Sequence, residues 1–355
     1  MQTENPEERS EESDPYSLFL YAIRSEITRD YYLRRLRIFF NHINLLLDRT
    51  MQERCNEFAS KGLKDPNWAF HCIVRFMQFQ RERVEREEIT SSTLRNFVKA
   101  IKLFCEMSDI AIAWKKINRG LPKIRRFADD RAPTIEEIQN ICDYPDRRIK
   151  AIVYTMVSSG ICLGAWDYLK WKNVNPITDN EGNIVAAKLE VYSGEVEEYY
   201  SFITPEACTA LTDWMDFRAS YGEKITGDTW LMRDLWQTTN MKYGARWGLA
   251  TSPRKLKSSG IKRLLERAAW EQGIRKPLTE GVKRHEWKIV HGYRKAYKSK
   301  AEQNMKPINV EITMGHDIGI SSSYYKPSER EVLEDYVKAI PILTINSNSS
   351  ILQSR

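Results

Sequence analysis

Residues 285–327 read HEWKIVHGYRKAYKSKAEQNMKPINVEITMGHDIGISSSYYKP. This window holds three of the chain's five histidines, His285, His291 and His316, together with Arg294 and the pair Tyr324-Tyr325. His291 and Arg294 are three apart, a spacing that puts both on one face of a helix. Gly315 before His316 permits a tight turn at a helix start. Tyr325 follows His316 by nine residues, far enough to return on a further helix. Histidine, arginine and tyrosine dominate, with no carboxylate pair and no metal-ligand cluster, so neither a metal nor a cofactor is expected. An arginine forks two phosphate oxygens and keeps its charge. A tyrosine hydroxyl, with a free pKa of about 10, attacks phosphorus once a histidine handles its proton and the phosphate is neutralised.

Outward from this window the chain is basic. Residues 275–306 hold ten bases against three acids, and residues 242–267 hold eight against one. Arg254, Lys257 and Lys262 in the latter are candidate contacts to a polyanion, and residues 261–270 read as an amphipathic helix. Pro327-Ser328 caps a last helix over 329–339, with Pro341 as its stop and a polar tail over 342–355. Upstream, residues 147–159 are apolar at helical spacing and end at Gly160. Thr134 and Glu137 have the spacing of a capping box, and residues 163–171 read as more helix. Two short strands are expected over 184–191 and 198–203 around a turn at Ser193-Gly194, followed by a helix over 205–221. No strand pattern precedes residue 180.

Residues 115–132, KKINRGLPKIRRFADDRA, carry seven bases and two acids with Gly120 and Pro122 as punctuation. An exposed interdomain linker over 115–133 is expected, with Lys115, Lys116, Arg119, Lys123, Arg125 and Arg126 as candidate contacts to a polyanion that relieves their mutual repulsion. Before it lies an all-helical region, 17–114. Its segments are 17–47 in two pieces, the second capped by Thr28 or Asp30, then 68–87 and 91–107. Arg34, Arg35 and Lys99 are its candidate contacts, the alternative being a plain solvated basic face. Residues 1–16 carry six acids and one arginine and are expected to be a disordered tail. The overall expectation is a mainly α chain with a small antiparallel sheet, in two domains, the second spanning 134–341.

Net charge is +7 over 355 residues. With the acidic tail set aside the body is more basic still, which favours nucleic acid over membrane as partner. No run of 18 apolar residues exists, so no membrane span or membrane partner is expected. Cys55, Cys72, Cys105, Cys142, Cys162 and Cys208 make no C-x-x-C pair. Buried free thiols in a reducing compartment, the cytoplasm, are expected.

The order H-x-x-R, Gly-His, then Tyr at plus nine resembles the tyrosine recombinase (integrase) family, and within it the archaeal branch. The helical first region, basic linker and capped helix at Thr134 resemble that family's core-binding domain, linker and catalytic domain. The resemblance implies site-specific recombination or integration of double-stranded DNA through a 3′-phosphotyrosine, by a homo-tetramer that wraps DNA as a clamp. It implies Tyr325 as nucleophile in preference to Tyr324, with Arg294, His291 and His316 at the phosphate. Two positions depart from the pattern. The family's first arginine is here Cys162, after Ser158-Ser159-Gly160-Ile161. The family's lysine in the strand turn is absent from Tyr192-Ser193-Gly194-Glu195, leaving Lys188 as the nearest substitute for a general acid. Cys162 fits a natural loss in a mobile genetic element, an introduced substitution, or compensation by a base such as Lys170. Two other functions stay open: a catalytically silent DNA-binding protein, and a single-strand nicking topoisomerase of the same chemistry.

Overall fold

The computed structural model describes residues 14–123, 130–234, 254–280, 282, 284–319 and 321–346. The chain is mainly α-helical with one three-stranded antiparallel sheet, the class expected from its periodicities. It divides into two compact units, Met1–Arg126 and Phe127–Arg355.

The first unit is helical: α1 (Pro15–Tyr21), α2 (Glu26–His42), α3 (Met51–Lys64), α4 (Pro66–Glu85), α5 (Ser91–Met107) and α6 (Trp114–Arg119). Asp14, Ser25, Thr50, Asp65 and Thr90 each cap one of the first five helices, accepting the backbone N–H three residues on, which satisfies an otherwise orphan donor. The core is aromatic. Phe39, Phe40, Phe58, Phe76 and Phe104 are fully buried, and their ring centroids meet at 5.2–6.1 Å.

Several local expectations are corrected here. Ser25, not Thr28 or Asp30, caps α2. Residues 15 and 16 belong to α1 rather than to the acidic tail. Helix α3 carries too thin an apolar stripe to announce itself: its buried apolar face is Cys55, Phe58, Ala59 and Gly62. Small residues suit that position, because a Cβ on Gly62 would stand 3.0 Å from Ile110 Cδ1. Residues 115–119, read as linker, form α6, whose Ile117 is buried in the first core.

The second unit runs α7 (Ile135–Cys142), α8 (Arg147–Ser159), two 3₁₀ turns (Leu163–Asp167 and Trp171–Asn173), β1 (Val174–Thr178), β2 (Ile184–Val191), β3 (Tyr199–Ile203) and α9 (Pro205–Ser220). It continues through α10 (Ser258–Glu271), α11 (Ile289–Ala301), α12 (Pro307–Thr313), α13 (Ser321–Tyr324) and α14 (Glu329–Leu343). The sheet order is β1-β2-β3. Strand alternation sorts its two faces: Ala187, Leu189 and Val191 enter a core with α8 and α9, while Ala186 and Phe202 face α11, α12 and α14.

Strand β1 was not expected; it is five residues long with Pro176 inside it, and pairing of Val174 with Leu189 through Ile177 with Ala186 defines it. Residues 163–171, expected as helix, hold the 3₁₀ turn Leu163–Asp167 and the start of the turn Trp171–Asn173 rather than α-helix. Pro341 does not stop α14. The helix continues to Leu343, and residues 342–346, expected as tail, are anchored. Leu343 and Ile345 are buried, and the Glu206 carboxylate accepts the N–H groups of Ile345 (2.8 Å) and Asn346 (2.9 Å). Burial of two apolar side chains outweighs the one helical hydrogen bond that a proline forfeits.

Arg218 and Arg233 share the Glu223 carboxylate, with side chains 1%, 1% and 9% exposed respectively. Burial pushes the Glu223 pKa up, but hydrogen bonds and charge from both arginines hold it below the usual carboxylate range. Its stabilisation is present above the unfolded carboxylate pKa and is lost as pH falls through the lower folded one. Glu223→Gln removes the shared counter-charge and is expected to cost about 3–5 kcal/mol, measured as a lower urea midpoint with the slope unchanged.

Candidate active site

Helix α8 ends at Gly160, whose φ is +64. A Cβ there would fall 2.3 Å from Tyr297 Cδ1 on α11, so only glycine lets the two helices approach this closely. The approach brings the Gly160 carbonyl to Arg294, whose Nη1 donates to it. Nη2 of Arg294 meets His316 Nε2 at 2.7 Å and reaches the Met314 carbonyl at 3.5 Å. His316 Nδ1 in turn bonds the Glu311 carboxylate. A carboxylate only accepts, so Nδ1 carries a proton toward Glu311, and in the neutral ring Nε2 presents its lone pair to Arg294. Burial raises the Glu311 pKa, but Lys298 and His316 outweigh it and keep the group ionised.

His291 stands one helical turn before Arg294 on α11. Burial first, then the charges of Lys288 and Arg294, hold its pKa below the ordinary histidine value, against an opposing pull from Asp130. At neutral pH it is therefore an uncharged ring able to take a proton. Cys162 begins the turn after Gly160, half-buried. It shares with Arg294 and His291 a cleft of about 680 Å³ that continues past Lys288 to Trp270 and His285. Cys162, Arg294, His291 and His316 are thus gathered around one guanidinium. His285 packs edge-on against Trp270 at 6.0 Å, at the other end of the cleft.

Two expected site residues are placed elsewhere. Lys188 lies in mid-strand, paired with Asn175 and Phe202, and its Nζ is 2.7 Å from Glu329 on α14. Tyr325 follows α13 and donates its hydroxyl to Asn309 Oδ1 at 2.9 Å. Both Tyr325 and Glu329 adjoin Tyr200, where, after burial, they push the phenol pKa up. Gly315, with φ +67, follows the end of α12 rather than opening a helix. It is held to glycine because a Cβ would come 2.5 Å from the Tyr199 ring. Lys170 pairs with Asp228 at 3.0 Å and stacks on Trp230, so it does not replace the base missing at Cys162.

The chain's pattern did not single out Asn309, Glu311, Tyr192 or Tyr199. Tyr192 and Tyr199 flank the Cys162–Arg294 pair: burial, then Cys162, raises both phenols, and Arg294 opposes. The only signal for Tyr192 was its place in the strand turn; Glu311 and Asn309 on α12 gave none.

The candidate nucleic-acid contacts are mostly solvent-facing. Arg34, Lys99, Lys115, Lys116, Arg119, Lys123, Arg254, Lys257 and Lys262 are exposed. Arg35 is half-buried, with its guanidinium 5.6 Å and 6.0 Å from the Tyr31 and Tyr32 rings. Lys262 pairs with Glu266 at 3.6 Å. Arg125 and Arg126 lie outside the described residues.

Solved structures similar to this chain include a XerA recombinase, 18% identical over 87% of this chain and 97% of that one, with a TM-score of 0.37. A XerH site-specific recombinase bound to its difH substrate is 13% identical over 88% and 93%, with a TM-score of 0.46. A lambda integrase dimer bound to a COC′ core site is 12% identical over 84% and 95%, also at 0.46. No family model matches the chain, and no curated protein matches it.

Proposed function

We propose that the chain is a site-specific DNA recombinase or integrase that cuts and rejoins double-stranded DNA through Tyr325, with its activity weakened by Cys162. The observation that carries this reading is the Arg294 guanidinium, fixed by Gly160 and His316 and lining a basic cleft together with His291. In the proposed step the Tyr325 hydroxyl gives its proton to a histidine and its oxygen bonds phosphorus. The bond to the 5′ oxygen breaks, and that oxygen leaves with the electron pair and takes a proton. Reversal with another 5′ end rejoins the strand, because the phosphotyrosine conserves the bond energy. Arg294 stabilises the charge that grows on the phosphate oxygens. Lys188 is a candidate for the returning proton once its ion pair with Glu329 opens.

The exposed lysines and arginines of both units agree with duplex DNA as the partner. Assembly as a homo-tetramer on two duplexes, and a division into a core-binding domain, linker and catalytic domain, belong to the same proposal. The test is covalent capture on a nicked duplex carrying the recombination site, resolved on a denaturing gel. A second reading, a DNA-binding protein without strand cleavage, is favoured by Cys162 and by the engagement of Tyr325 with Asn309.

Both readings require phosphate contacts. Lys115, Lys116 and Arg119 on α6 are exposed around the buried Ile117, and none makes an ion pair among the described residues. Changing all three to Gln should weaken DNA binding and flatten the slope of log K against log salt by roughly 2–3, at about 0.9 for each phosphate left unneutralised. A fluorescence-anisotropy salt titration reads this directly, and an unchanged slope would remove α6 from the interface.

A further inference from the structure

The cleft that Arg294 lines is larger and more varied than one phosphate needs. Its volume of about 680 Å³ falls within the ~300–1,000 Å³ of pockets that enclose a small organic molecule. Its walls carry five bases, Lys262, Arg275, Arg284, Lys288 and Arg294, against one acid, Glu266. Glu266 already faces Lys262 at 3.6 Å, whereas Arg284 and Lys288 make no ion pair among the described residues. Flat and apolar surface lies beside that charge. Trp270 and Leu278 both line the cleft and are 46% and 41% exposed. Lys262, Glu266 and Trp270 recur every four residues on α10, so one face of that helix carries the indole and the ion pair together. The His285 ring stands edge-on to Trp270 at 6.0 Å. Burial first, then the charge of Arg275, holds the His285 pKa below the ordinary histidine value, so at neutral pH it adds an uncharged ring. The buried Arg275 lies 4.9 Å over the Trp287 ring and donates to the Trp287 carbonyl, which makes this wall rigid. Flat rings beside fixed cations are the chemistry that takes a nucleobase with its phosphate. A base inside a duplex shows only its edges in the grooves, and a pocket encloses it only after it has left the stack.

We propose that this cleft takes one unpaired nucleotide of the DNA, with its base against Trp270 and its phosphate on the cationic wall that includes Arg294. This rests on the reading of DNA as the partner, and not on Tyr325 as nucleophile. An unpaired base leaves the stack most readily, so the cleft gives the protein a preference for DNA with a bulge, a gap or a frayed end over a continuous duplex.

The test uses the full chain and two duplexes of one sequence, the first fully paired and the second carrying a single bulged 2-aminopurine. Affinity is read by the anisotropy of an end label, and the surroundings of the bulged base by its own emission. The bulged duplex should bind roughly 5- to 150-fold more tightly, the worth of one base stacked on an aromatic ring, and its emission should fall as the base meets the indole. Trp270→Ala should remove most of the preference and of the emission change. It alters no charge, so the paired duplex should keep its affinity and its salt slope. Trp270→Phe, which keeps a ring, should retain much of both signals. If Trp270→Ala unfolds, Trp270→Leu keeps apolar bulk without the ring and takes its place. Equal affinity for the two duplexes, an emission that binding leaves unchanged, or signals that survive in the folded ringless variant overturn the proposal. Equal weakening of both duplexes by that variant also overturns it. The expected preference with no covalent DNA on a nicked duplex, even for Cys162→Arg, supports the cleft and removes the recombinase chemistry; covalent capture without the preference does the reverse.

Discussion

Cys162→Arg is expected to raise covalent capture of DNA on a nicked duplex by on the order of 10²- to 10³-fold, the usual worth of one preorganised donor at a developing charge. Cys162 lies in the same cleft as Arg294 and His291, next to the Gly160 carbonyl that Arg294 grips. A thiol is a weak donor and carries no fixed charge, whereas a guanidinium there would present a second fork to the same phosphate. Two arginines on one phosphate act as a unit, so the gain can exceed that of a single isolated donor. Two bulky phenols, Tyr192 and Tyr199, border the position. The new side chain has to lie along them, and stacking on their faces is favourable for a guanidinium. Three proteins settle the outcome: the parent, Cys162→Arg, and Cys162→Arg with Tyr325→Phe. A DNA-linked band in the second that disappears in the third identifies the chemistry and its nucleophile. An equal band in the parent would mean that the phosphate is neutralised without residue 162. No band in any of them, alongside tight salt-dependent binding, would support the silent DNA-binding reading.

Arg294→Lys is expected to lower capture in the Cys162→Arg background by a further 10² to 10³, roughly, while changing the salt slope of DNA binding by no more than about 1. Arg294 holds the Gly160 carbonyl, the Met314 carbonyl and His316, and it still has to meet a phosphate. Its planar fork of five donors can do so; a lysine is a point charge with three donors on one atom. The charge survives the exchange, so affinity should change little, while the geometry that serves the transition state is lost. His316 would also lose the partner that its Glu311-bound tautomer is set up to meet. A large fall in affinity with unchanged capture at saturating DNA would instead make Arg294 a binding residue only.

Much of this molecule is legible in one dimension. The capping box at Thr134 and Glu137, the helix over 147–159 and its glycine stop follow from local chemistry, and α7 and α8 form there for those reasons. The spacing of His291 and Arg294 places them on one helix, and α11 carries both. Where the signal is thin, the reading fails. Helix α3 buries a thin face of Cys55, Phe58, Ala59 and Gly62, β1 depends on pairing with β2, and Pro341 is overruled by the burial of Leu343 and Ile345. Each of these is decided by a partner distant in sequence.

The residue types by themselves determined the helical class, the basic surface and the histidine, arginine and tyrosine set, because period, charge and side-chain chemistry are local properties. Tertiary structure alone decided which of that set meet. Close approach of Gly160 to Tyr297 brings the end of α8 to α11, so Cys162 joins Arg294 and His291 across more than a hundred residues. The turn of α12 separates Asn309 from Glu311, and with them Tyr325 from His316. Nine residues of sequence spacing cannot express that separation, since it depends on which α12 side chain each one meets after the helices have packed, Asn309 for Tyr325 and Glu311 for His316.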